Sequence, residues 1–410
     1  MKETNLQNKF GEYMELAIVL SLIVLAGTIY FTDRRASVFD SLPIGALLAW
    51  RFIFKKESQR TLPNSLIIWT VLYLVSGFVG ALMSGDQHGE LNEFRRRYTH
   101  VFVAGLLFTS PLSVKNRKIV IVFFFIAGAI AGAAGILQYY GLMYSQWPRP
   151  HGFSAHPILY AEILAIVCGS AIVMLFFNKG DLFQSTSGRV FLMIIVLFTF
   201  EGILVSGSRG VWIALAAACL VTLLLYDRHR AAIFIVSIIS VSILVIISSS
   251  ALRERASSIV TSFYTEDVKG STGTRVELWK GSLLVFQQHP LLGVGTGNYQ
   301  SSIEDLVREK KIMEPLVAMH AHNIYFQALA TRGIIGLVLT VGFFVALIKW
   351  GMREIDDYRQ VGGYIIILSG ILTIIGGLTE NNMEHAKYLA AFCFTVGLIG
   401  PYGASKLPDC

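Results

Sequence analysis

Long apolar runs alternate with short polar interruptions along most of the chain. Twelve such runs can be marked, at approximately 12–31, 38–54, 63–83, 99–113, 118–140, 156–177, 188–206, 209–226, 231–250, 323–349, 361–378 and 384–404. Most reach the roughly 18–20 residues that a helix needs to cross a bilayer, where each segment must satisfy its own backbone. The pattern predicts an all-α polytopic membrane protein of about 12 transmembrane helices. The first run lacks a small-residue cleavage site and is long enough to span, so it reads as a span rather than a cleaved leader.

One long stretch breaks the rhythm, residues 251–321 between the ninth and tenth runs. There "TRVELWKGSLLVFQQHP" predicts an amphipathic helix with Val276, Trp279, Leu283 and Phe286 on its apolar face, ended by Pro290 and the glycines after it. "SSIEDLVREKK" predicts a second helix, with Ser301 and Glu304 spaced as a capping box. Three regions follow: spans 1–9 in 1–250, a large helical loop in 251–321, and spans 10–12 in 322–410.

Composition and charge sharpen this picture. Of 410 residues 54% are hydrophobic and only 15% charged, whereas a soluble domain carries roughly 25% charge. The net charge of +7 does not point to nucleic acid, because Lys and Arg fall between the runs rather than along one amphipathic face. With an even number of spans and cytoplasmic termini, the inner segments hold seventeen Lys and Arg and the short outer loops eight. The positive-inside rule favours that orientation and puts 251–321 on the outer face. Cys168, Cys219 and Cys393 sit in apolar runs and nothing resembles CxxC spacing.

Absences narrow the chemistry. There is no phosphate-binding GxxxxGK[ST], no HExxH and no outer acid cluster at metal-ligand spacing, so no nucleotide, cofactor or metal is expected. The glycines of "GVGTGN" (293–298) follow a helix rather than a strand and read as a turn.

What remains on the outer face is arginine and histidine. Arg209 lies in the short turn "SGSRGVW" and Arg275 in "GSTGTRVELW", each at a predicted helix start. Either can be an interfacial or solvated side chain, or part of an anion site where guanidinium and helix N–H groups converge. Arg95, Arg96 and Arg97 form an outer run that suits a solvated face, lipid headgroups or substrate. Glu162 and Glu201 fall within spans and should face the bundle interior, as structural partners of arginine or as substrate-orienting groups. His320, His322 and Asn323 precede the tenth span in "MHAHNIYFQALATRGIIG". A histidine there can be a capping residue, or a general base contributing about 10²–10⁴ in rate. His320, two residues from His322, should point elsewhere if the segment is already helical.

At these residues the chain resembles the O-antigen ligase family of membrane glycosyltransferases. The family motif is His, then Asn, Ser or Gln, nine residues, Gly, two residues, and Gly, Thr or Tyr. Here it reads His322, Asn323, Ile324 to Arg332, Gly333, Ile334, Ile335 and Gly336. The "SRG" around Arg209, the "GTRVELW" of Arg275 and "HPLLGVGTGNY" match further hallmarks in the same order. The specific motifs lie in roughly 206–336; the first 200 residues agree through topology alone.

The resemblance implies a multi-pass protein of the bacterial inner membrane with a periplasmic active site. It implies transfer of a glycan from an undecaprenyl-diphosphate donor to a lipid A-core acceptor, with inversion and without metal, ATP or nucleic acid. Arg209 and Arg275 would hold the pyrophosphate and His322 would activate the acceptor hydroxyl. His320, Asn323, Arg96 and Arg97 are further candidates for substrate contact. An O-antigen polymerase or a protein oligosaccharyltransferase is the neighbouring alternative, and a lipid-linked glycan transporter a more distant one.

Overall fold

The computed structural model describes residues 2–31, 62–109, 112–177, 183, 185–233, 236, 240, 271–315, 319–358 and 361–400. Among the described residues there is no strand. The main helices are α1 (Lys2–Phe31), α2 (Asn64–Leu82), α3 (Gln87–Phe108), α4 (Val114–Tyr139), α5 (Pro157–Phe176) and α6 (Thr186–Val205). They continue with α7 (Arg209–Tyr226), α8 (Ser271–Gln288), α9 (Tyr299–Arg308), α10 (Ile324–Tyr358), α11 (Val361–Gly376) and α12 (Ala386–Leu398). Six of them, α2, α4, α5, α6, α7 and the Ile324–Ile355 part of α10, are long and apolar enough to cross a membrane. Glu15–Phe31 of α1, together with α11 and α12, are shorter apolar helices. The expected runs at 38–54 and most of 231–250, and the loop residues 251–270, lie outside the described residues.

α5 runs through the centre of the bundle, with nearly every side chain from Tyr160 to Met174 buried. It packs on α4, α6, α7, α11 and α12. Small residues permit the close approaches, as expected where helices meet in lipid. A Cβ on Gly132 of α4 would collide with the α6 backbone at Phe198, and one on Gly202 of α6 would meet Gly132 itself.

The fourth apolar run differs from its expected form. Asp86 caps α3 by accepting from the Gly89 N–H at 3.0 Å, so the helix starts twelve residues ahead of the apolar run at 99. Arg95, Arg96 and Arg97 are therefore helical residues of α3 and not a loop.

The described part of the large loop forms a cap over one end of the bundle. α8, α9 and the opening turns of α10 share a small core of Leu278, Val285, Tyr299, Ile303, Leu306, Ile312, Ala321 and Ala330. Two expectations are corrected here. α9 begins at Tyr299 behind a 3₁₀ turn, Thr296–Asn298, and the Ser301 hydroxyl donates back to the Asn298 carbonyl at 3.0 Å. Ser301 is therefore inside the helix and makes no capping box. The expected apolar stripe of α8 also does not face the cap core, since Val276 and Leu283 are exposed. The buried face carries Leu278, Gly281, Ser282 and Val285, because the small Gly281 lets Ile303 and Ile312 approach α8.

α10 is not continuous. At Gly333 the backbone leaves the helix, with φ 64° and ψ −163°, a region open essentially only to glycine. The glycine-rich segment 290–295 lies across this break. Its Val294 and Gly295 N–H groups donate to the carbonyls of Ala330 and Thr331, both at 3.0 Å. Its Pro290 and Leu291 carbonyls accept from Ile334 at 2.9 Å and Ile335 at 3.5 Å. These are the groups that an unbroken helix would have paired with each other, 330 with 334 and 331 with 335. "GVGTGN" is thus a strap that completes a broken helix.

A side chain at Gly333 would require the forbidden backbone region, about 1–3 kcal/mol, and its Cβ would also strike the Leu291 carbonyl. Gly333→Val is expected to lower the thermal midpoint in detergent by several degrees and to reduce the amount of folded protein in membranes. Fluorescence-detected gel filtration after heating reads both.

Candidate active site

The polar residues at the capped end converge because three chain segments are tied together there. The end of α11 is joined to the start of α10: the Ile324 N–H donates to the Gly377 carbonyl at 2.8 Å, and Asn323 Nδ2 to the Leu378 carbonyl at 2.9 Å. Asn323 Oδ1 accepts from the Tyr325 and Phe326 N–H groups at 2.8 and 3.0 Å, the pattern of a helix cap. Asn323 is buried, and its amide caps α10 and ties it to the end of α11. On the other side of His322, Ala321 receives Trp279 Nε1 on its carbonyl at 3.0 Å and gives its N–H to Gln327 Oε1 at 2.8 Å.

His322 is held between these two pinned residues in the left-handed region, φ 48°. Such a conformation is uncommon for a non-glycine residue and persists where its surroundings over-determine it. Its Nδ1–H donates to both oxygens of Glu380, at 3.0 and 3.1 Å. The carboxylate can only accept, so the proton is on Nδ1 and Nε2 is the basic nitrogen.

Glu380 lies in the turn between α11 and α12 and also accepts from the Asn381 N–H at 3.0 Å. Burial opposes its ionisation, but the hydrogen bond from His322 and the charges of His322, His320 and His385 hold its carboxyl below the usual range. The sequence reading missed this residue. The available signal was an acid in the short turn before the last span, three residues after Gly377, and "LTENNMEH" holds two acids that sequence alone does not rank.

His320 does not point away from His322, because the helix on which that expectation depended is absent here. The 319–323 segment is not helical, and the rings of His320 and His322 are 4.1 Å apart. His320 Nδ1 accepts from the His322 N–H at 3.3 Å and stands 3.7 Å from Glu380 Oε1. Burial pushes its pKa down to about 4, against the pull of Glu380. The ring of His385 lies 5.8 Å from that of His320, and burial lowers its pKa too.

Arg275, in the second turn of α8, senses the charges of Glu380 and Glu162, which oppose the lowering of its pKa by burial. Glu162 of α5 is 3% exposed, and neither carboxylate oxygen has a hydrogen-bond partner among the described residues. Arg209 is the first residue of α7, and the next, Gly210, packs so tightly on Thr379 that a Cβ there would strike its hydroxyl. Both arginines are thereby brought to the turn that carries Glu380. Arg97 reaches the rim, 3.8 Å from Glu384, which accepts from Asn381 Nδ2 at 2.8 Å. Arg96 pairs with Glu93 on its own helix, at 2.5 Å, and Glu201 lies in the last turns of α6, half-buried.

His320, His322 and Glu380 bring three ligand atoms within 4.8 Å of one another, a donor set that a divalent ion could use. The Arg275 charge, close enough to act on Glu380, works against a cation at that place. The arrangement suits an anionic group near Arg275 and Arg209, and a base at Nε2 of His322.

His320 stays neutral in the folded protein down to about pH 4, while an unfolded histidine protonates near pH 6.5. In that window the unfolded chain binds more protons, so stability falls as pH drops. The thermal midpoint is expected to decline between pH 6.5 and 4, and less steeply in His320→Gln. Below about pH 4.3, where an unfolded Glu protonates, the depressed Glu380 adds a loss of the same sign.

With this geometry in hand, comparison with known proteins gives two results. An uncharacterized protein of Haemophilus influenzae (strain ATCC 51907 / DSM 11121 / KW20 / Rd) is 22% identical over 361 residues, covering 83% of this chain and 88% of that protein. Residues 193–341 match the family model described as O-antigen ligase, a span that holds Arg209, Arg275, His322 and the Gly333 break. This multi-pass helical protein therefore carries, in residues 193–341, the domain of the O-antigen ligase family.

Proposed function

We propose that the protein is an inner-membrane glycosyltransferase that moves an O-antigen glycan from undecaprenyl diphosphate to lipid A-core on the periplasmic face, by one inverting displacement. The observation that carries this reading is the Glu380–His322 pair, with Nδ1 engaged and Nε2 basic, beside Arg275. The acceptor hydroxyl attacks the anomeric carbon and gives its proton to His322 Nε2. The bond from that carbon to the diphosphate oxygen breaks, and undecaprenyl diphosphate leaves with the electron pair. Glu380 orients the imidazole and stabilises the imidazolium that forms. Arg275 and Arg209 stabilise the charge gathering on the departing diphosphate, a role for which fixed guanidinium donors are suited. The diphosphate already activates the donor, so the step needs no nucleotide.

The neighbouring readings, an O-antigen polymerase or a protein oligosaccharyltransferase, use the same donor chemistry and differ in the acceptor. Purified protein in detergent, with lipid-linked glycan, lipid A-core and EDTA, is expected to give a glycan-bearing lipid A-core ladder on a gel. No ladder from folded protein, with product appearing on a pilin-type acceptor or on a second donor, would replace the ligase reading. Activity lost to EDTA and restored by a divalent ion would instead assign His320, His322 and Glu380 to a metal.

His322→Ala is expected to lower transfer by about 10²–10⁴ with donor binding retained, the usual contribution of a general base. Arg275→Ala and Arg209→Ala are expected to weaken donor binding as well. Glu380→Gln should lower kcat and shift the pH profile with little change in donor affinity. Unchanged turnover in His322→Ala at wild-type membrane levels would remove the base assignment.

A further inference from the structure

The cap formed by α8, α9 and the strap is divided into two unlike surfaces. The outward side of α9 is polar, with Gln300, Glu304, Asp305 and Arg308 exposed. The outward side of α8 and the strap exposes a set of large apolar residues, interrupted on α8 by Lys280, which pairs with Glu277, and by Gln287. Leu283 is 42% exposed, Leu291 is 64% exposed, and Val276 and Leu292 are also exposed. Trp279 and Phe286 border that stripe. Leucines left open to water at such a density would be costly, at roughly 25 cal/mol for each Å² of apolar surface.

The strap lies against a membrane-crossing helix. Its Pro290 and Leu291 carbonyls are bonded to the Ile334 and Ile335 N–H groups, so Leu291 and Leu292 sit beside those two residues. Ile334 and Ile335 are themselves exposed, and they begin the stripe of Val338, Val341 and Val345 on the membrane-crossing part of α10. Hydrocarbon that covers Val338 and Ile335 therefore reaches Leu291 and Leu292, and α8 ends at Gln288, two residues before the strap.

We propose that α8 and the strap are embedded in the outer-leaflet hydrocarbon of the bilayer, with α9 on the aqueous side, so that the cap is an interfacial element rather than a free outer domain. The partner is bilayer lipid. Arg275 immediately precedes Val276 of the stripe, which sets the Arg275–His322 cluster at the depth of the lipid headgroups.

Leu283→Cys, Leu291→Cys and Glu304→Cys, each in a Cys410→Ser background, provide the test. The full chain is spin-labelled and placed in vesicles of phosphatidylethanolamine and phosphatidylglycerol. Cys168, Cys219 and Cys393 are buried and do not compete for the label. Labels at 283 and 291 are expected to collide severalfold more often with dissolved oxygen than with a water-soluble nickel chelate, and the label at 304 the reverse. Chelate collisions at 283 or 291 as frequent as at 304 would overturn the proposal. Val276→Cys and Leu292→Cys replace either stripe variant that fails to fold. The readout is independent of transfer activity, so it stands or falls apart from the ligase reading.

Discussion

Backbone polar groups in an apolar surrounding must be paired, and the break in α10 is the place where this constraint organises the molecule. Opening the helix at Gly333 removes the partners of Ala330, Thr331, Ile334 and Ile335, and the strap supplies new ones from Pro290, Leu291, Val294 and Gly295. Because the strap follows α8 directly, completing the broken helix also fixes α8 against the first turns of α10. Trp279 then stacks on Phe326, ring centroids 5.4 Å apart, and bonds the Ala321 carbonyl. That contact steadies the residue next to His322. Arg275 reaches Glu380 and Glu162 from the same helix.

A second set of ties joins the bundle to the site. The end of α11 accepts the first N–H of α10 and the Asn323 amide, and two residues beyond Leu378 the chain delivers Glu380 to His322. Pinning Ala321 and Asn323 on both sides makes the left-handed backbone of His322 affordable, so the ring orientation is set by the fold before any substrate arrives. The charges are then mutually limiting. Glu380 remains ionised because His322 donates to both its oxygens, His320 remains neutral because burial outweighs the pull of Glu380, and both Glu380 and Glu162 act on the charge of Arg275.

The Glu162 carboxyl shows how strongly the site departs from ordinary membrane packing. It is buried on the central helix without a hydrogen-bond partner among the described residues, and its charge acts on Arg275. Burying an acid without such a partner is costly.

The sequence by itself determined the helical membrane character and most helix positions, because bilayer thickness demands apolar runs of a definite length. α7 runs from 209 to 226 as the pattern predicts, and α2, α5 and α6 agree within two residues. It also singled out Arg209, Arg275 and His322, since charged and titratable groups at the ends of spans are scarce enough to notice. It could not place Ser301, the α8 stripe or the start of α3, where a 3₁₀ turn, a glycine contact and an aspartate cap shift the outcome within one or two turns. Only the tertiary structure decided that Glu380 pairs with His322, that Asn323 caps α10, and that the glycines near 293 mend a broken helix. Those roles depend on hydrogen bonds between residues tens of positions apart, and local pattern carries no information about which distant chain end will supply the partner.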